Sequence, residues 1–417
     1  MQLTGVFRSV ARGLGAVLAL AILGVTRPAG AQVAQVDVRD TVFYEPSKSS
    51  HLFVMTPAVT VAAQPVEWLD VHAGYEADIV TGATEPIKRG PLADVVTAAT
   101  KFSDTRHQFR GGAGVVRRDA HLNVDYSYGT ESDYHSQGIS VTAGSNFFQN
   151  NTQIELQYAR GFDHVCTTNY EPATAPSGRT RLDSSARCFS KSPDRASRAI
   201  DLDTFQVAWT QAWTPVFATQ MVLTGGLQHG FLGNPYRSVV IAPAGQDALE
   251  NHPENRARGA LSLKAKYFIK PITAAATAGM RFYRDTWDIL GETVELEFEK
   301  YLTQSLRVLA RGRYYHQTEA LFWSDDYTGG EPANGPRGQY WSGDRELSPL
   351  SSFMVGGRVL WGLHGAPGAR VLGVMLRLQV TAGFDVLKTN LKDFTWAGQA
   401  PDDTMAMVGS LGIRGEF

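Results

Sequence analysis

The sequence predicts an all-β protein: a transmembrane, antiparallel, up-and-down β-barrel of about sixteen strands with both termini on the periplasmic side. Three observations carry that reading. Apolar and polar residues alternate with a period of two along most of the 417 residues. The alternating segments often run for about ten to thirteen residues, enough to cross a bilayer, where soluble strands average ~5 to 6. The connections between them are short and long by turns.

The first 31 residues stand apart from that pattern. Arg8 and Arg12 make a basic start, Leu14 to Val25 is a short apolar run, and Ala29-Gly30-Ala31 offers a small-residue cleavage site. This is the layout of a secretory signal peptide, because the apolar run is shorter than the ~18 to 20 residues a spanning helix needs. Residues 32–417 then form the barrel. Loss of Arg8, Arg12 and Arg27 takes the formal charge from −2 to about −5. A mildly acidic chain without basic clusters speaks against nucleic acid as a partner.

Each strand reads as one apolar and one polar face, because successive side chains point to opposite sides. Leu69, Val71, Ala73 and Tyr75 alternate with Asp70, His72, Gly74 and Glu76. Leu122, Val124, Tyr126 and Tyr128 alternate with His121, Asn123 and Asp125, and Ile154, Leu156 and Tyr158 with Glu155 and Gln157. Leu261, Leu263 and Tyr267 alternate with Lys264 and Lys266. A late segment alternates Leu372, Val374, Leu376, Leu378 and Val380 with more polar residues, and the last strand closes on Phe417. Aromatics gather near segment ends, as interfacial girdles do.

Short connections fall near 64–66, 116–119, 148–151, 214–215, 270–272, 302–304 and 364–369. Long ones fall at 80–104, 163–200, 230–257, 317–350 and 385–403, with shorter members near 47–50, 131–136 and 285–289. Short turns on the periplasmic side and long extracellular loops are the expected asymmetry. An even strand count requires one more strand at about 37–46. No separate plug domain precedes it.

The strongest polar constellation spans two neighbouring strands. Glu295, Glu297 and Glu299 share one face of the first, and Arg307, Arg311 and Arg313 one face of the second. A three-residue turn at Leu302–Gln304 pairs Glu299 with Arg307 and Glu295 with Arg311. Charge on the lipid face costs ~2 to 4 kcal/mol near the midplane, so this ladder is expected to line the lumen. It serves either as a selectivity wall or as a structural network. Further lumen candidates are Asp70, His72, Glu76, Asp125 and Glu155, then Lys264, Lys266, Arg281, Arg358 and Arg377. Both signs occur, so no ion preference follows.

Cys166 and Cys188 are the two cysteines of the chain and share one hydrophilic segment. In an exported protein they are expected to form a disulfide. No nucleophile elbow, zinc-protease or phosphate-loop motif follows the leader, and no cofactor or metal site is predicted. His316, beside Arg313 and Tyr315, is the best general-base candidate, though a rim position is the commoner role for such a residue. The run Asp325 to Glu331 clusters carboxylates able to hold Ca²⁺ without the full loop pattern, so solvated charge is preferred. Trp323, Tyr327, Tyr340 and Trp341 nearby suit either a binding patch or packing.

Several blocks together resemble an outer-membrane family catalogued as domain of unknown function 3570. They are Asp78-x-x-Thr81-Gly82-Ala83-Thr84, Asp94 to Thr100, Glu131-x-Asp133-Tyr134-x-Ser136 and Asn151-Thr152. Later come Glu250-x-x-Pro253-x-x-Arg256, Tyr283-x-Asp285-x-Trp287-x-Ile289, and Tyr315-x-Gln317-x-x-Ala320-x-Phe322. Thr81 and Thr97 depart from the serines expected there. The resemblance implies a barrel in the outer membrane of a Gram-negative bacterium and no established activity. Relatives are often encoded beside a flavin-transferring enzyme and a thioredoxin-like protein, which hints at an envelope redox or export system.

The expected function is a channel or export conduit with a charge-lined lumen. The alternatives are a non-conducting scaffold for a periplasmic or surface protein partner and, last, an outer-membrane hydrolase. Expected partners are the bilayer, lipopolysaccharide, and the barrel-assembly machinery acting on the strand that ends at Phe417.

Overall fold

The computed structural model describes residues 33–46, 51–82, 95–97, 102–241, 246–325, 327, 338–364, 370–391 and 404–417. The leader and most of the acidic run Asp325 to Glu331 lie outside the described residues. The first strands are β1 (Val33–Pro46), β2 (His51–Val66), β3 (Leu69–Gly82), β4 (Val95–Thr97), β5 (Phe102–Arg117) and β6 (Ala120–Thr130). Next come β7 (Tyr134–Phe147), β8 (Thr152–Thr168), β9 (Arg195–Thr214), β10 (Phe217–Gly230), β11 (Arg237–Ile241) and β12 (Gln246–Leu249). The remainder are β13 (Asn255–Ile269), β14 (Ala274–Asp285), β15 (Leu290–Tyr301), β16 (Leu306–Gln317), β17 (Leu350–His364), β18 (Arg377–Leu391) and β19 (Thr404–Glu416).

Sixteen of these form one closed antiparallel barrel, while β4, β11 and β12 make a small separate sheet. Each barrel strand pairs with its chain neighbour, and β1 closes the ring on β19 from Gln35↔Glu416 to Tyr44↔Met407. Closure satisfies every strand edge, the only way a sheet can stand in hydrocarbon. The start of β1 and Phe417 lie at the end that carries the short turns.

Alternation decides the two faces. On β15, Val294, Leu296 and Phe298 are exposed while Glu295, Glu297 and Glu299 are half-buried. Leu223, Leu296 and Leu411 are more than half exposed, which only a lipid-facing surface tolerates in bulk. Trp68, Phe147, Trp213, Tyr267 and Trp361 ring the outer face toward the short turns. Tyr75, Phe109, Tyr158, Phe205, Phe282 and Tyr314 ring it toward the long loops. Beyond that second girdle β8 and β9 continue, and outward-facing Arg160 meets Asp203 at 3.1 Å, with Tyr158 donating to the same carboxylate at 2.6 Å. The apolar belt ends there.

Several boundaries differ from the sequence reading. β8 and β9 extend to Thr168 and from Arg195, so the connection 163–200 shrinks to 169–194; Cys166 and Cys188 close it as a disulfide. β2 runs through 64–66 to Val66, leaving a two-residue turn. Leu372, Val374 and Leu376 are not strand residues, because β18 starts at Arg377. Gly373 and Leu372 take positive φ there, and Val371 N–H donates to Met375 O at 2.8 Å, which makes a tight turn.

One outward residue breaks the apolar belt. Asp40 pairs across the ladder with Leu411 and Pro57, both on the outer face, and stands midway along β1. Its Oδ1 has no hydrogen-bond partner. A carboxylate held in hydrocarbon is a net cost, smaller than the penalty for a basic side chain at the same depth. Asp40→Leu is therefore expected to stabilise the folded barrel by about 1 kcal/mol in urea titrations in lipid vesicles. A destabilised variant would mean that this carboxylate has a partner in the membrane.

Candidate functional site

The lumen wall is built from the inward residues of each strand. By register, Asp70, His72, Glu76, Asp125 and Glu155 point into the lumen, and so do Lys264, Lys266, Arg281, Arg358 and Arg377. The six residues of the ladder also point inward, but their register differs from expectation. Glu295 lies opposite Arg313, Glu297 opposite Arg311, and Tyr301 opposite Arg307. The turn holds four residues rather than three, because the Thr303 hydroxyl accepts the amides of Ser305 (3.2 Å) and Leu306 (3.0 Å). A slip of two residues keeps every side chain on its face while changing every partner.

The partners actually made reveal a recurring device. Arg311 reaches past its neighbour strand to Asp385 on β18, donating through Nε at 2.8 Å and Nη2 at 2.6 Å. Gly356 occupies the row between them on β17, and a Cβ there would overlap Asp385 Oδ1. His72 bonds Asp125 across Gly112, and His121 approaches Glu155 to 3.8 Å across Gly144. A Cβ on either glycine would meet the bridging side chains. Lys264 reaches Glu295 (3.8 Å) across Gly279, a looser case in which a methyl group fits. These paired side chains thus lie along the wall, strapping alternate strands together. Glu299 adds bonds to Arg307 at 2.8 Å and Lys266 at 3.3 Å, so its predicted contact with Arg307 is made diagonally.

A second constellation closes over the long-loop end. β11 pairs with β4 and β12, joining the connection after β10 to the one after β3. Val239, Ala248, Tyr327 and Trp341 form one small core, and Trp287, Ile289, Ala320, Phe322 and Leu347 form another. Tyr327 and Trp341 are buried there, and their polar atoms bond Ser342 O (2.9 Å) and Leu249 O (3.0 Å). Packing, not an exposed binding patch, explains these two aromatics. Leu182 N–H donates to Pro235 O at 2.7 Å, Arg237 pairs with Asp344, and Arg345 reaches Glu45 of β1 at 3.4 Å. Connections rooted around most of the ring therefore touch one another, so they cross the mouth as a cap.

Under the cap lies a cavity of about 600 Å³, lined on one side by Arg106, Glu131, Asp133 and Tyr134. The other side includes Tyr236, His252, Arg256, Trp287 and Glu346. Asp285 receives Arg256 Nε at 2.9 Å, Tyr283 Oη at 2.7 Å, and the amides of Trp287 and Ile289 at 3.0 Å. Arg256 also stacks over the Trp287 ring, 4.1 Å from its centre. Gln317 receives Tyr315 Oη at 2.6 Å and donates to the Glu346 and Ser348 carbonyls at 2.9 Å. Asp78, which accepts from Thr56 at 2.8 Å, sits on the wall below, and Gly82 ends β3 above it. Most of the sequence blocks thus gather at the mouth, whereas Asn151-Thr152 lies at the short turn between β7 and β8, at the other end of the barrel.

Tyrosine–aspartate hydrogen bonds latch the mouth. Tyr236 donates to Asp133, and Tyr134 to Asp163. Asp104, Glu131 and Asp133 bring carboxylate oxygens within 4.8 Å of one another, the donor type a hard cation takes. Burial, then Asp133 and Asp104, pushes the Glu131 carboxyl from 4.5 up to about 7. Burial also raises Asp133, although the Tyr236 hydrogen bond opposes it. Burial alone would raise Asp344, but the adjacent Arg237 holds it below the usual range. The sequence reading missed Asp104, Arg106, Tyr236, Arg237, Asp344 and Asp385, none of which stands in a local motif. His316 lies on the outer face beside its cross-strand neighbour Glu292, and not in the lumen.

Two outcomes are expected. Gly356→Ala should displace Asp385, leave Arg311 unpaired and cost about 2 to 3 kcal/mol in urea unfolding. Gly409→Ala, with open space around it, should be neutral. Because Glu131 is held protonated, the closed mouth carries no penalty below about pH 4.5 and the full penalty above about 7. Hydrogen exchange of Phe231–Tyr236, corrected for its intrinsic rate, should accelerate across that window and lose the dependence in Glu131→Gln.

A search of curated proteins finds no match. Similar solved structures include a bacterial polysaccharide outer membrane secretin (10% identity, TM-score 0.45, 91% of this chain and 97% of that one). Another is OccK2 (OpdF) of Pseudomonas aeruginosa in complex with glucuronate (8%, 0.41, 93% and 100%). A third is a BenF-like porin from Pseudomonas fluorescens Pf-5 (7%, 0.42, 93% and 99%). A family profile described as "Protein of unknown function (DUF3570)" matches residues 55–367, well over half of the chain, and the chain belongs to that family.

Proposed function

We propose that this barrel is an outer-membrane channel or export conduit whose charge-lined lumen carries hydrophilic solutes, with access set by the cap. The glycine-bridged pairs support this most directly. Side chains that lie along a sixteen-strand wall leave the centre of the barrel to water, and at this strand number a barrel is wide enough for an aqueous passage. In this reading the short turns and both termini are periplasmic and the cap faces outward, after cleavage of residues 1–31. Lipid and lipopolysaccharide surround the apolar belt, and the strand ending at Phe417 engages the assembly machinery.

A scaffold for an envelope partner is the second reading, and one observation favours it. The cap is tied across the mouth by two cores and several ion pairs, more than a passive opening requires.

Single-channel recording of the refolded protein in a planar bilayer separates the two. The channel reading expects stable steps, with longer open times in the unlatched variant Tyr236→Phe/Arg237→Gln. A folded barrel that stays silent in both forms would transfer the assignment to the scaffold.

A further inference from the structure

Charge is not mixed evenly around the lumen. On one side β3 contributes inward Asp70, Glu76 and Asp78, and β5 contributes Asp104. β6 and β8 add Asp125, Glu155 and Asp163. Against these seven carboxylates the same strands set two inward arginines, Arg106 and Arg110.

The other side is the reverse. β13 points Arg256, Arg258, Lys264 and Lys266 inward. β14 adds Arg281, β16 adds Arg307, Arg311 and Arg313, and β17 adds Arg358. The opposing acids are four, Asp285 and the Glu295, Glu297 and Glu299 series. In ring order β6 and β15 mark the middles of the two groups, seven strands apart in a ring of sixteen. The groups therefore face each other across the lumen. Between them β9 and β10 carry Arg198 as their one inward charge.

The ion pairs do not cancel this separation. Lys264, Lys266, Arg256 and Arg307 are neutralised by acids of their own side. Arg258, Arg281, Arg313 and Arg358 form no ion pair among the described residues. On the acidic side, Asp125 and Glu155 have only histidines as partners.

We infer that the lumen carries a transverse electric field, acidic wall to basic wall, that favours solutes bearing a separated positive and negative charge, such as amino acids and small zwitterionic peptides. This rests on the channel reading and names its substrate class. A simple ion is drawn to one wall and held by it, so the two walls give little net preference between cations and anions. A zwitterion aligned across the passage satisfies both walls at once and exchanges hydration for wall contacts at both ends. An uncharged sugar of equal size gains nothing from the field.

The test uses purified full-chain barrel in liposomes with isotonic glycylglycine, a neutral sugar of matched size, and matched organic anion and cation. Glycylglycine should enter roughly threefold or more faster than the sugar. In Arg258→Gln/Arg281→Gln/Arg313→Gln/Arg358→Gln the ratio should fall toward one and reversal potentials should turn cation-selective. A second variant, Asp70→Asn/Glu76→Gln/Asp125→Asn, should turn anion-selective. Entry of sugar and zwitterion at equal rates in the wild type, or a ratio that neither variant changes, would overturn the field while leaving the channel intact. Entry of no solute at all would overturn both readings.

Discussion

The structure depends on one constraint: a sheet in hydrocarbon has to leave no backbone group unpaired. β1 meets that requirement by pairing with β19 on one side and β2 on the other, and the ring then has no edge. Closure fixes the faces as well as the edges, because side chains alternate with period two and each row of the ladder must lie wholly inside or wholly outside. Apolar residues are then confined to one face by the cost of charge in lipid. The wealth of inward charge follows from the same rule, since it has no other face to occupy.

Once charge is confined to the lumen, the wall must hold it without filling the passage. The glycine-bridged pairs resolve that conflict. Arg311 and Asp385 are two strands apart, farther than a directly opposed pair, and meet because Gly356 leaves the intervening row flat. The same geometry at Gly112 and Gly144 straps β3 to β6 and β6 to β8. Each strap ties strands that share no backbone hydrogen bonds, so it stiffens the barrel across its seams. The abundance of glycine in this chain has a structural reason beyond turn formation.

Much of the architecture was legible because periodicity is a local property. The alternation at Leu122–Tyr128 or Leu261–Tyr267 needs no knowledge of neighbours, and the parity argument that required a strand near 37–46 needs only counting. Registers were less legible. The β15–β16 turn depends on a single hydroxyl, Thr303, and a two-residue shift in register re-pairs the whole ladder while preserving its faces. Asp385 was invisible as a partner because sequence reading pairs strands adjacent in the chain and passes over the glycine between. The cap was least legible, since Trp287, Phe322 and Trp341 sit in aperiodic segments and acquire meaning only when distant loops meet.

Most family-block residues lie at the mouth, above mid-wall lumen charges such as Arg281, Arg313 and Asp125, and that division is informative. Asp78, Glu131, Asp133, Tyr283, Asp285 and Gln317 build the mouth, where they anchor loops and shape one cavity. Residues that separate charge across the lumen without an ion-pair partner, such as Arg258, Arg313 and Arg358, are assigned to their face by strand parity. A slip of two residues would alter their contacts but leave each on its own side, so wall polarity tolerates changes in register that the mouth does not. The mouth is a jigsaw whose parts must meet individually, through hydrogen bonds such as those converging on Asp285. The lumen is a field whose parts act in sum. In the proposed channel, access is therefore set by specific packing at the cap, and selectivity below it by the distribution of charge among strands.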